Sequence, residues 1–153
     1  MDLHFNVAHL DVERLLSDWR WLCPKPMTLV GRNAFADLFL QDESGEIYQL
    51  DVGAGGLVKV ADSLRQFLEL CESSEKREEW FAESDEKAAA ARGLIPGATQ
   101  CVGFSMPVAF AEAGSPDTPF ISDIYDHVGF LGDLHRQIAS LPNGAKVRLV
   151  VKR

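Results

Sequence analysis

Five residues able to do chemistry crowd one segment late in the chain: Asp123, Asp126, His127, Asp133 and His135. Carboxylates beside imidazoles can hold a divalent cation or pass a proton. Their spacing argues against a shared site. On a helix His127 and His135 stand eight positions apart, about 80° out of phase at 3.6 residues per turn, so they do not project from one face as the two histidines of a zinc-binding HExxH do. The segment reads first as the polar side of an amphipathic helix. A small-molecule- or metal-dependent enzyme built on residues 123–135 and the connection 107–119 is the alternative. Gly53, Ala54, Gly55 and Gly56 are glycine-rich, but a strand rather than a helix follows them, so they suit a hairpin turn better than a phosphate cradle. Ser63, Ser105 and Ser140 are the candidate hydroxyl nucleophiles, and none lies in the G-x-S-x-G setting that exposes a strained serine. His4 and His9 fall in a loose N-terminal stretch. The expectation is a protein without a catalytic centre, resident metal or cofactor.

The acidic run is the sharper feature. Between Glu69 and Lys87 eight acids (Glu69, Glu72, Glu75, Glu78, Glu79, Glu83, Asp85, Glu86) face three bases (Lys76, Arg77, Lys87), which accounts for five of the eight net negative charges. A concentrated negative face steers a basic partner and competes with nucleic acid for a nuclease's basic cleft. Glu72, Glu75, Glu78, Glu79, Glu83, Asp85 and Glu86 are therefore the candidate partner-binding residues. The plainer reading is a solvated helix face with local ion pairs.

These residues need a frame. Asp11 is placed to cap a first helix, with Val12, Leu15, Leu16, Trp19 and Leu22 forming its apolar stripe and Pro24 ending it. Pro24 and Pro26 force extended backbone, and the chain enters a sheet through PKPMTLV. Residues 34–41 (AFADLFLQ) read as a central strand covered on both faces, 47–52 (IYQLDV) and LVKVA as the next two, together a three-strand antiparallel meander. A second helix begins at Asp62 or Ser63 and buries Leu64, Phe67, Leu68 and Cys71. One or two further helices run to Gly93, which ends them in a left-handed conformation. QCVGFSM (100–106) reads as a strand, 107–119 as an irregular and mobile connection, and 123–141 as a long helix with Ile124, Val128, Leu131, Leu134, Ile138 and Leu141 on one side. Gly129 and Gly132 weaken that helix, implying either close packing there or a later start near Leu131. A last strand is expected near 146–151. Trp19, Trp21 and Trp80, beside leucines at helical positions, read as core rather than as a binding platform.

The 153 residues suit one α+β domain spanning 1–153, with a largely antiparallel sheet and about four helices. An apolar fraction of 46% and a charged fraction of 25% are those of an ordinary globule. The net charge of −8 repels phosphate backbones and anionic lipid, so neither nucleic acid nor a membrane is an expected partner. Cys23, Cys71 and Cys101 lie far apart among apolar neighbours, as buried free thiols of a reducing compartment do. The start lacks the features of a signal peptide, and a cytoplasmic monomer or small homo-oligomer is expected.

Taken in order, DWRWL (18–22), AFADLFLQDESGEIYQLD (34–51), GLVKVADSLRQFL (56–68), EEWF (78–81), GLIPGATQCVGFSMP (93–107) and LGDLHRQIASLPNG (131–144) resemble a bacterial domain family of long-unknown function. That family is best known as the C-terminal domain of type VI secretion immunity proteins that neutralise secreted DNase toxins. The similarity spans about residues 15–147. Family members usually carry glycine where this chain has Ala36 and an aromatic where it has Val102. The resemblance implies a non-enzymatic protein that blocks a toxin by covering its active site.

Overall fold

A computed structural model describes residues 3–104 and 118–141. The chain order is α1 (Val12–Leu16), β1 (Thr28–Arg32), β2 (Leu38–Gln41), β3 (Ile47–Asp51), β4 (Gly56–Ala61), α2 (Leu64–Leu70), α3 (Ser74–Phe81), α4 (Glu83–Ala91), β5 (Gln100–Phe104), β6 (Pro119–Asp123) and α5 (Ile124–Ala139). The fold is α+β, as the residue pattern implied.

The meander has four strands in the order β1-β2-β3-β4, all antiparallel, one more than the three expected. The extra strand is the TLVGR segment that follows the two prolines. Strand β2 is shorter than the apolar run 34–41 suggested. Asn33 accepts the backbone N–H groups of Phe35 and Asp37 on its side-chain oxygen, which folds 33–37 into a turn with Ala36 at φ 75°. This local bonding competes with strand formation. The strand itself behaves as expected of a central one. Leu38 and Leu40 enter one apolar cluster, and Phe39, on the opposite face, enters another.

The first cluster joins α1, the turn after it, β2, β5 and α5. Asp11 caps α1, which is only one turn long. Trp19 and Leu22 lie in the turns that continue it to Cys23. The indole of Trp19 donates to the Val128 carbonyl at 2.8 Å, and that of Trp21 donates to Gly132 O at 3.2 Å. Such an approach requires glycine in α5. A Cβ on Gly132 would stand 2.7 Å from the Asp18 carbonyl oxygen, and one on Gly129 would stand 3.0 Å from the Asp18 carboxylate. Close packing therefore explains both glycines, and α5 starts early, capped by Asp123.

The second cluster is aromatic. Phe67 from α2, and Trp80 and Phe81 from α3, gather around Phe39 with centroid separations of 5.2 to 6.0 Å. Ser63 caps α2 and Ser73 caps α3. Leu68, expected inside, is exposed, because α2 presents only Phe67 and Cys71 squarely to the core. The α3–α4 junction is Ala82 at φ 49°, and Gly93 closes the segment at φ 82° as expected.

Strand β5 pairs antiparallel with β6 in a separate two-stranded sheet, rather than extending the meander. The strand beginning at Pro119 was not foreseen, since a proline-punctuated run masked it. The expected strand near 146–151, and positions 107–117 of the expected irregular connection, lie outside the described residues. Leu141 lies past the end of α5 and is exposed. No helix among the described residues is long and apolar enough to cross a membrane.

Candidate functional site

Between the meander and the β5–β6 hairpin lies a cavity of about 460 Å³. One side comes from the 33–37 turn and the end of β3, through Phe35, Asp37, Asp51, Val52, Gly53 and Ala54. The other comes from the hairpin and α5, through Val102, Phe104, Phe120, Ser122, Asp126, His127, Phe130 and Leu131. Phe35 and Phe104 stack across the two sides at 6.2 Å and 13°.

A buried arginine fixes the relation of the two sides. Arg32, fully buried, donates to the carbonyls of Asn33 (3.1 Å), Ala98 (3.3 Å) and Gln100 (2.6 Å), tying the end of β1 to the start of β5. Val102 N–H adds a bond to Ala34 O at 2.8 Å. Charge-assisted bonds to three carbonyls compensate a guanidinium that burial pushes below its ordinary pKa.

Asp37 is the chemically unusual member. Its carboxylate accepts from Asn33 Nδ2 (3.1 Å) and Val52 N–H (3.1 Å), with Gln49 Nε2 at 3.5 Å. Burial, reinforced by the negative charge of Asp51, pushes its pKa up to about 7 against the lowering pull of those donors. Desolvation of the charged form is the dominant cause. Asp51 accepts the Ala54 N–H, which fastens the glycine-rich turn. Across the cavity, burial pushes the His127 imidazole below its ordinary pKa, favouring the neutral ring. Among the described residues neither His127 nor the Asp126 carboxylate has a hydrogen-bond partner, and no cation pairs with Asp37, Asp51 or Asp126.

The five residues that crowd 123–135 are thus dispersed. Asp123 caps α5 by accepting Asp126 N–H, and Asp133 pairs with Arg136 on the outside. His135 faces away from His127, packing beside Trp19 at 5.8 Å with its Nε2 at 3.0 Å from Gly53 O. Gly55 is fitted to that ring: at φ 76°, an added Cβ would lie 2.5 Å from Nδ1. Only Asp126 and His127 reach the cavity. Among the described residues no three or more His, Cys, Asp or Glu side chains converge as metal ligands would.

The other candidates have structural employment. Gly53, Ala54 and Gly55 lie in the hairpin turn between β3 and β4, and Gly56 opens β4 opposite Asp51. Ser63 caps α2 and Ser140 bonds Gln137 O, while Ser105 lies outside the described residues. Cys23, Cys71 and Cys101 are buried and free, and desolvation pushes the last two to about 11 and about 12. Such thiols stay protonated and are poor nucleophiles. Trp19 and Trp80 are core residues, whereas Trp21 is partly exposed.

The seven acidic candidates divide into two groups. Glu78 accepts from Ser84 N and Oγ, Glu79 pairs with Lys76 at 2.9 Å, Glu83 with Arg77 at 3.6 Å, and Glu86 turns inward to His4 at 2.7 Å. Glu72, Glu75 and Asp85 are exposed and carry no ion pair among the described residues. They sit on a scaffold whose inner side is anchored by Trp80 and Phe81.

Residue types and spacing did not single out Asp37, Asp51 or the four phenylalanines of the cavity. Asp37 left a weak signal, an acid inside the apolar run AFADLFLQ where an ordinary strand would keep a neutral residue. No family model, curated protein or solved structure matches this chain.

Proposed function

We propose that this protein is a non-enzymatic binding protein of the immunity type, which neutralises a secreted, nuclease-type toxin by docking the acidic surface of α2–α4 on the toxin's basic cleft. The observation that carries the reading is the outward charge of a segment whose inner side is locked into an aromatic core. Glu72, Glu75 and Asp85 stand exposed, and the nearby pairs Lys76–Glu79 and Arg77–Glu83 lie at the surface. Surface pairs contribute about 0–1 kcal/mol each, so they yield readily to a basic partner that offers better geometry. A rigid, pre-charged surface limits the ordering cost of association and raises its rate. The resemblance across residues 15–147 supplies the class of partner.

Co-expression with a toxin encoded beside this protein is the test. Rescue of growth is expected from the native chain and its loss from the variant E72K/E75K/D85K, whose folding circular dichroism can verify. Persistent toxicity with the native chain, or the absence of any toxic neighbouring frame, would remove the immunity reading.

A second reading rests on Asp37. A carboxyl group that titrates near neutrality in an aromatic cavity, with a neutral imidazole on the other side, has the properties of an acid–base catalyst. Asp126 and His127 then belong to the alternative enzyme drawn from the 123–135 segment, while Asp133 and His135 do not.

A further inference from the structure

We infer that the cavity between the meander and the β5–β6 hairpin binds a small organic cation with an apolar body, an arylalkyl- or alkylamine. This goes beyond the toxin-binding proposal, since none of the cavity residues lies on α2, α3 or α4.

Three independent features converge on that class of ligand. The walls are apolar and aromatic, with Phe104, Phe120 and Phe130 each partly exposed although they are large hydrophobic side chains. Exposed aromatic rings around a concavity favour an apolar body and, through their faces, a nearby positive charge. The charged groups at the same cavity are of one sign. Asp37, Asp51 and Asp126 supply carboxylates, His127 supplies a ring held neutral by burial, and among the described residues no lysine or arginine lines the cavity. An anion would find no counter-charge there, and a neutral apolar molecule would supply none to the carboxylates. The volume of about 460 Å³ lies in the range of pockets that enclose a whole small molecule. The tip of one lysine from a docked protein carries the same chemistry but would leave most of that space unfilled, so the free amine is the occupant.

The burial of Asp37 beside Asp51 fits a cation site. Lacking a counter-charge, the carboxyl holds its proton up to about pH 7. An ammonium in the cavity stabilises the ionised form, so binding at lower pH must expel a proton, and affinity rises with pH until Asp37 is ionised without help. The groups that act on Asp37 are Asp51 at the end of β3 and the donors Asn33, Gln49 and Val52 N–H, while Asp126 and His127 of α5 line the same cavity. Protonation of His127 at low pH acts in the same direction, since its positive charge would oppose the ligand.

The experiment follows backbone amide signals during titration with phenethylamine, phenethyl alcohol and phenylacetate at millimolar concentration. The amine is expected to shift signals from both sides of the cavity, the alcohol to bind about tenfold more weakly or worse, and the carboxylate not to bind. Amine affinity is expected to rise between roughly pH 6 and pH 8. Asp37→Asn should remove most of that rise, leaving only the part due to His127 at the low-pH end. Because Asp37 also anchors its own turn, Asp126→Asn and Phe130→Ala, at exposed positions, provide variants expected to fold normally and to weaken the amine severalfold. Equal binding of amine and alcohol, or no shift at the cavity with the amine, overturns the inference. So does an affinity untouched by both surface variants. Loss of toxin neutralisation by E72K/E75K/D85K with amine binding intact separates this site from the acidic surface.

Discussion

Strand β2 divides the molecule into two regions that solve the packing problem differently. On the side of Leu38 and Leu40 the core is mostly aliphatic, and the elements approach so closely that backbone touches backbone at Gly132 and imidazole touches backbone at Gly55. On the side of Phe39 four large rings fill the space between sheet and helices, and α2 and α3 contain no glycine. The first region is therefore broken by adding atoms and the second by removing them. The difference carries over to chemistry. The first region borders a cavity where the Asp37 carboxyl is desolvated, while the ring-filled core supports helices whose charges face solvent.

The largest expected effect tests the aromatic side. Trp80→Ala removes a ring in contact with Phe39 and Phe67 and should cost about 4 kcal/mol in urea unfolding. A loss under about 1 kcal/mol would mean that this core collapses freely and does not hold the acidic helices rigidly. Next, Gly132→Ala drives a methyl to within 2.7 Å of Asp18 O and 2.8 Å of the Trp19 indole nitrogen, so about 3 kcal/mol is expected from the addition of one carbon. Retention of native stability would show that α5 can slide away from the α1 turn.

The Asp37 carboxyl sharpens the contrast through pH. Its folded pKa of about 7 lies above the ordinary carboxyl value, so the folded state binds the extra proton between roughly pH 4 and pH 7. This group's contribution is fully favourable at low pH and is lost as pH rises through 7, opposite in sign to an ion-paired carboxylate. Stability attributable to it should fall over that window and level off above it. Asp37→Asn should flatten the curve, and an unchanged slope in the variant would reassign the titration.

Ala36 tests the turn that positions Asp37. At φ 75° a β-branched side chain is strongly disfavoured, and Ala36→Val should cost about 2 kcal/mol or more. Ala36→Gly relieves the strain but loses a buried methyl and gains unfolded-state freedom, so it should stay within about 1 kcal/mol of native. The smallest effect belongs to the acidic helices, where Lys76→Ala should change stability by less than about 0.5 kcal/mol, because its pair with Glu79 is solvated.

Periodic features were legible in the residues. The caps at Asp11 and Ser63, the two-faced strand around Phe39, the Gly93 terminus and the stripe of α5 all follow from local spacing. Features decided by tertiary bonding were not. Nothing local says that β6 starts at a proline or that β5 leaves the meander to pair with it, and the local Asn33 bonds that fold 33–37 into a turn were hidden inside an apolar run that read as strand. The cavity was hidden for the same reason, since its residues come from five separate stretches and share no motif. Helix phase was legible too: it argued against a shared site at 123–135, and the structure leaves two of those five residues at the cavity.

The central proposal is that this protein works through the outward charge of α2–α4. Growth of cells producing a toxin encoded beside this protein, with the native chain, E72K/E75K/D85K or Asp126→Asn supplied, tests it most directly. The account predicts protection by the native chain and by Asp126→Asn and none by the charge-reversed variant. Protection by the charge-reversed variant equal to that of the native chain would contradict it.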